Sequence, residues 1–149
     1  TSVAPPNDFV VLTIDGWVVD DALQMEALQT RKQAAKTSID DAVSAIYNKF
    51  NPFVREYALR EEQALAFVAA NYEGDVPPQI NAVVVPTGMT PKQATDRVLA
   101  QAQALQIALE QLGELRMQKL AIDNMDNVDV INTHRDSVLQ QIATVAEQL

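Results

Sequence analysis

Three stretches decide the architecture of this 149-residue chain: Leu59-Arg60-Glu61-Glu62-Gln63-Ala64-Leu65-Ala66-Phe67, Tyr72-Glu73-Gly74-Asp75-Val76-Pro77-Pro78, and Gly88-Met89-Thr90-Pro91. In order they are a helix, its stop, a Pro-bounded segment and the start of a second helix. Asn51-Pro52 opens the first helix, with Pro in the first turn where no amide donor is missed. Glu56 precedes Arg60 by four residues and makes a favourable surface pair. Gly74, free to adopt the left-handed conformation that closes helix C-termini, ends it. Pro77-Pro78 begin a short element that Pro86 stops. Within it Val83-Val84-Val85 fits either a helix or a buried strand, because periodicity cannot arbitrate over so short a run. Thr90, Pro91 and Gln93 are the clearest helix start, a capping box with Pro at the first helical position.

Downstream of that start, Val98, Ala102, Leu105, Leu109 and Leu112 alternate four- and three-residue steps, the spacing of a coiled-coil-like seam. Gly113 interrupts the face. After Asp123-Asn124-Met125-Asp126-Asn127 a final helix repeats the spacing with Ile131, Arg135, Val138, Ile142, Val145 and Leu149. These seams exceed what one small domain needs. They predict self-association, as a trimer or higher assembly, through Val98, Leu105, Leu109, Leu112, Ile131, Val138, Ile142 and Val145. A partner within the same chain is the other arrangement open to the last helix.

Upstream, Asp20-Asp21 place carboxylates at the positive end of a long helix. Met25, Leu28, Ala35, Ile39, Val43, Ile46 and Phe50 describe one apolar stripe along it, about 45 Å at 1.5 Å per residue. Before it stand a short arm with Pro5-Pro6, the β-prone run 9–14, Asp15-Gly16, and Trp17-Val18-Val19. Asp-Gly between two β-prone runs predicts a hairpin. A two-stranded ribbon is marginal alone in water, so it either lies as a flap over the helices or docks on another protein. Phe9, Val11 and Trp17 are the candidate docking residues, with Trp17 also read as a core side chain that holds the hairpin to the first helix.

The fold expected is mainly α: long antiparallel helices in an elongated bundle with a short N-terminal β-hairpin. Residues 1–19 form the arm and hairpin, and 20–149 the helical domain, with helices at about 20–50, 52–73, 91–123 and 127–149. An apolar content of 48% with only 5% aromatic residues suits helices packed through small and medium side chains.

Charge and residue inventory restrict the chemistry. Twenty acids against 11 bases give a net charge of −9, which argues against a phosphate-tracking surface and hence against nucleic acid as a partner. With no cysteine, disulfides, thiol catalysis and Cys-ligated zinc are excluded. No run approaches the roughly 20 apolar residues a membrane span needs, and the chain reads as soluble. His134, the single histidine, lacks a second imidazole for a metal site and flanks the seam of the last helix. Asp123, Asp126 and Asp129 miss the Gly and terminal Glu of a calcium loop and suit a helix start instead. Asp40-Asp41 and Glu61-Glu62 point about 100° apart on a helix and read as solvated. Neither a phosphate loop nor a nucleophile elbow occurs. No catalytic, cofactor or metal site is expected.

The block 59–67, followed by Tyr72-Glu73-Gly74-Asp75-Val76-Pro77, Gly88-Met89-Thr90, Ala94-Thr95-Asp96 and Ala102-Gln103-Ala104, resembles a helical module of tail-fibre and other tail-associated proteins of tailed bacteriophages. It covers roughly 50–145. The resemblance implies a non-enzymatic virion structural or adaptor protein of the tail, fibre or baseplate region, assembled in the host cytoplasm, whose partners are copies of itself and other virion proteins. A tail-fibre assembly chaperone absent from the mature particle is the alternative it implies, and a small regulatory module acting by helix exchange is a third.

Overall fold

A computed structural model describes residues 4–13 and 16–149, with only the backbone of Trp17. The chain is mainly helical with a two-stranded antiparallel hairpin at its N-terminus. Strands β1 (Val10–Thr13) and β2 (Gly16–Val19) precede α1 (Asp21–Phe50), α2 (Val54–Ala69), α3 (Pro78–Thr87), α4 (Pro91–Met117) and α5 (Val128–Ala146). Short 3-10 turns at Asn51–Phe53 and Gln118–Asn124 precede α2 and follow α4. Among the described residues no helix is long and apolar enough to cross a membrane.

The helix starts are where local chemistry demands them. Asp20 caps α1, its carboxylate accepting from Leu23 N–H at 3.0 Å. The capping box of α4 closes in both directions: Gln93 N–H donates to Thr90 Oγ1 at 3.1 Å, and Thr90 N–H to Gln93 Oε1 at 3.0 Å. Asn127 Oδ1 caps α5 by accepting from the amides of Asp129 and Val130 at 2.7 and 3.2 Å.

Two helix ends differ from expectation. α2 closes before Gly74, because Asn71 and Tyr72 both take the left-handed conformation, at φ 57° and 58°. Tyr72 N–H donates to Phe67 O and Asn71 N–H to Val68 O, both at 2.9 Å, the crossed pair of bonds that satisfies a helix's last carbonyls. The Tyr72 ring then stands edge-on to Phe67, centroids 5.9 Å apart, and seals the end with an apolar contact. The segment 78–87, ambiguous in sequence, is the helix α3. Pro86 lies in its last turn, where only one backbone bond is forgone, and Gly88 at φ 70° ends it with its N–H on Val84 O at 2.9 Å.

The chain packs as two compact units, Thr1–Ala42 with Leu115–Ile142, and Val43–Glu114 with Ala143–Leu149. In the first, Ala35, Ile39, Ile122, Ile131, Val138 and Ile142 are buried. Ion pairs, and a hydrogen bond from Lys32 to the Asp123 carbonyl, give its helices their direction. Asp40 meets Arg116 and Lys119, and Lys36 and Lys32 meet Asp123, so α1 runs backward as the facing segment runs forward. In the second unit Ala64, Ile80, Ala94 and Val98 make one buried cluster joining α2, α3 and α4, with Val76, Val83 and Met89 packed on it. Gln63 Oε1 accepts from Gln79 N–H at 2.8 Å, tying the start of α3 to α2.

Candidate docking surface

The hairpin is assembled by four paired positions, Val10 with Val19, Val11 with Val18, Leu12 with Trp17 and Thr13 with Gly16. Gly16 is thus the first residue of β2, at φ 111°, a conformation that suits glycine. Ile14 and Asp15 lie outside the described residues, so the Asp15 half of the expected turn does too. Asp20 N–H donates to Phe9 O at 2.6 Å, which continues the pairing beyond the strands and sets the ribbon directly on the start of α1.

Alternation along a strand sends Val11 and Leu12 to opposite faces, and Val18 and Val19 likewise. All four are exposed, at 37%, 64%, 47% and 54%. The ribbon therefore presents apolar side chains to water on both faces, where a flap would hide one of them. Covering such side chains is worth on the order of 1 kcal/mol each, about half of a full burial. Below the ribbon, Phe9 is half-buried and walls a groove of ≈ 750 Å³ with Met25, Leu28, Arg31, Asp126 and Val128. Met25, 65% exposed, and Leu23, 39% exposed, extend the apolar surface onto α1.

The three candidate docking residues thus have different surroundings. Phe9 is seated against α1 at the groove, Val11 is open, and Trp17 stands opposite Leu12 in the register, its side chain lying outside the described residues. The residues expected to carry self-association are placed otherwise. Val98, Leu112, Ile131, Val138, Ile142 and Val145 are each buried in the single chain, none more than 7% exposed. Within the chain these six side chains pack inside its own units. Leu105 and Leu109 alone among the eight remain half-exposed.

Several charged groups outside the hairpin are engaged structurally. Asp40, expected to be solvated, accepts from Lys119 Nζ at 2.8 and 2.9 Å and from Arg116 Nε at 2.8 Å. The Lys119 hydrogen bond, aided by Arg116, holds its carboxyl below the ordinary carboxylate range. Asp123 is held low by the Lys36 ammonium 2.6 Å away, while its backbone carbonyl accepts from Lys32 at 3.0 Å. Asp96 is lowered, and the Tyr72 hydroxyl raised, by their mutual hydrogen bond of 2.7 Å. His134 Nε2 lies 2.8 Å from Gln118 O, an acceptor only, so the proton sits on that nitrogen. Among the described residues no three His, Asp or Glu side chains gather as metal ligands would. No sequence signal identified Asp40 as a paired group, since its partners are 76 and 79 positions away.

No family model matches the chain, and no solved structure does. Over 144 residues it is 31% identical to the "Uncharacterized 23.3 kDa protein in lys 3'region" of Haemophilus phage HP1 (strain HP1c1). The match covers 95% of this chain and 72% of the phage protein. The chain belongs to that phage protein's family.

Proposed function

We propose, from the chain's place in this phage family, that it is a non-enzymatic structural protein of the tail, fibre or baseplate region of a virion, an adaptor that docks through its N-terminal hairpin onto a neighbouring virion protein. The observation that carries the reading is the ribbon of Val11, Leu12, Val18 and Val19, apolar and exposed on both faces. A monomer gains nothing from that exposure, whereas a docked ribbon gains the hydrophobic term of four side chains and pairing for an open strand edge. Tail-associated placement is supported by the likeness of 50–145 to the tail-fibre module and by the phage origin of the relative. Partner recognition is then a contact surface formed once on assembly in the host cytoplasm, with no turnover.

The test is location. Purified particles of a phage or prophage encoding this chain are probed by mass spectrometry and by antibody labelling under the electron microscope. The reading expects the chain at stoichiometric level, with label on the tail. Its absence from particles, together with recovery bound to free fibre subunits, would replace this reading with that of an assembly chaperone.

A further inference from the structure

The end of α2 is the one place among the described residues where residues other than glycine have positive φ. Asn71 and Tyr72 stand at 57° and 58°, a left-handed conformation that crowds the Cβ of any L residue and that asparagine bears better than tyrosine. Such strain persists only where the surrounding contacts overdetermine it. Here those contacts gather on one side chain. The Tyr72 ring stands edge-on to Phe67 at 5.9 Å, and its hydroxyl donates to Asp96 Oδ1 at 2.7 Å. Lys92 Nζ lies 5.0 Å from the ring centroid and donates to Asp96 Oδ2 at 3.2 Å. Lys92 and Asp96 belong to the start of α4, so Tyr72 ties the end of one helix to the beginning of another.

A second stop, Gly74, lies just beyond. Ala69, Ala70, Asn71, Tyr72 and Glu73 include no proline or glycine, and glycine is the residue that most often closes a helix. A helix running on through Glu73 would relieve both strained residues and lengthen α2 by about 6 Å at 1.5 Å per residue. The two stops exclude each other. On a continuous helix residue 72 lies about 140° around the axis from residue 67, which takes the Tyr72 ring off Phe67 and its hydroxyl off Asp96.

We infer that Tyr72 is a latch on a helix with two stops: its contacts with Phe67, Asp96 and Lys92 hold α2 in the shorter form, and their release lets α2 run on to Glu73. The latch positions the chain that follows. Val76 packs on the cluster of Ala64, Ile80, Ala94 and Val98, and Gln79 N–H reaches Gln63 Oε1. Lengthening α2 moves the point where the chain leaves the helix, so the latch governs whether Val76 and α3 stay seated. No residue of the hairpin takes part, and the inference does not rest on the docking reading.

The two forms differ in which carbonyl each amide finds. In the shorter form Tyr72 N–H donates to Phe67 O and Asn71 N–H to Val68 O. In a continuous helix the partners exchange, Asn71 taking Phe67 O and Tyr72 taking Val68 O. NMR scalar couplings across hydrogen bonds read this pairing in the full 149-residue chain, with circular dichroism as the control for folding. The wild type is expected to show the crossed pair. Tyr72→Ala should show the exchanged pair, and adding Asn71→Gly should return the crossed one, because glycine takes the left-handed conformation without penalty. Asp96→Ala, at an exposed position that leaves residue 72 unaltered, should raise the population of the longer form about tenfold, as loss of a hydrogen bond to a charged group does. Relaxation dispersion at residues 70–73 measures that population. A crossed pair retained in Tyr72→Ala overturns the inference, as does an exchanged pair in the wild type. So does an Asp96→Ala chain with no rise in the longer form. If Tyr72→Ala fails to fold, Asp96→Ala still decides the matter.

Discussion

Lys119 grips both carboxylate oxygens of Asp40, at 2.8 and 2.9 Å, across 79 positions of sequence. Arg116 adds a third bond to the same group, so one carboxylate fastens α1 to the end of α4 and the turn that follows it. The Lys119 side chain is only 18% exposed and would be left with a desolvated charge if Asp40 were removed. Asp40→Asn should therefore destabilise the chain, by about 1 kcal/mol given a carboxylate still 36% exposed to screening. Its pH signature has a definite sign. Asp40 is lowered in the folded state, so its contribution is complete above the unfolded value of about 3.9 and is lost as pH falls through the folded value. Asp96 and Asp123 shift the same way. Urea midpoints should be level between about pH 5 and 7 and decline below about pH 4. The decline should be shallower in Asp40→Asn, and an equal slope would remove Asp40 from the account.

The closure of α2 rests on Asn71, a residue that bears the left-handed conformation better than most but less well than glycine. Asn71→Gly should raise stability by about 0.5 kcal/mol, and Asn71→Ala should lower it by about 1 kcal/mol. Equilibrium denaturation of the two variants gives the comparison directly. The order Gly, Asn, Ala is the result to expect, and a more stable Ala variant would mean that the backbone bonds of Tyr72 and Asn71 contribute little.

What could be read from sequence was what is decided over a few residues. The Thr90–Gln93 box, the helix start at Asp20 and the β-prone runs at the N-terminus are local devices, the first two with partners three positions away and the hairpin with partners no more than nine apart, and each forms as expected. The end of α2 was misplaced because two left-handed candidates, Asn71 and Gly74, compete within four residues. The choice falls on the one that lets Tyr72 cover Phe67. α3 was undecided because its Val run fits either period, and its helicity comes from Ile80 packing into the cluster with Ala64 and Ala94. The seams were read correctly as apolar stripes. Whether such a stripe is covered by the same chain or by another depends on tertiary packing, which spacing does not encode.

Gly113 interrupts the face of α4 without need. A Cβ built there meets nothing within 4 Å, so no close approach requires the missing side chain. Gly113→Ala should stabilise the protein by about 0.5–1 kcal/mol through helix propensity and a less flexible unfolded chain. Thermal denaturation followed at the helical signal measures this, and a lower midpoint would show that the backbone at 113 departs from helix in solution.

Ile80 is completely buried in the cluster that joins α2, α3 and α4. Ile80→Ala should cost about 2–5 kcal/mol, the usual range for truncating a buried aliphatic side chain and leaving a cavity. Val85, on the same short helix but 75% exposed, is the control, and Val85→Ala should change stability by no more than about 0.5 kcal/mol. Similar losses in both would mean that α3 acts by its helicity and not by the contact of Ile80.

The hairpin offers a separation that stability alone can begin and assembly can finish. Phe9 is half-buried at the groove beside α1, whereas Leu12 is 64% exposed. Phe9→Ala should therefore lower the stability of the isolated chain, by about 1–2 kcal/mol for a side chain that has only half left water. Leu12→Asp should leave it within about 0.5 kcal/mol of wild type, since an exposed strand position has no core contact to lose. Particle incorporation ranks the variants differently if the ribbon docks: Leu12→Asp and Val11→Asp should both reduce it severely, because a carboxylate buried at an interface without a partner is strongly disfavoured. A Leu12→Asp chain that folds and enters particles at the wild-type level would show that the exposed ribbon is not the docking edge.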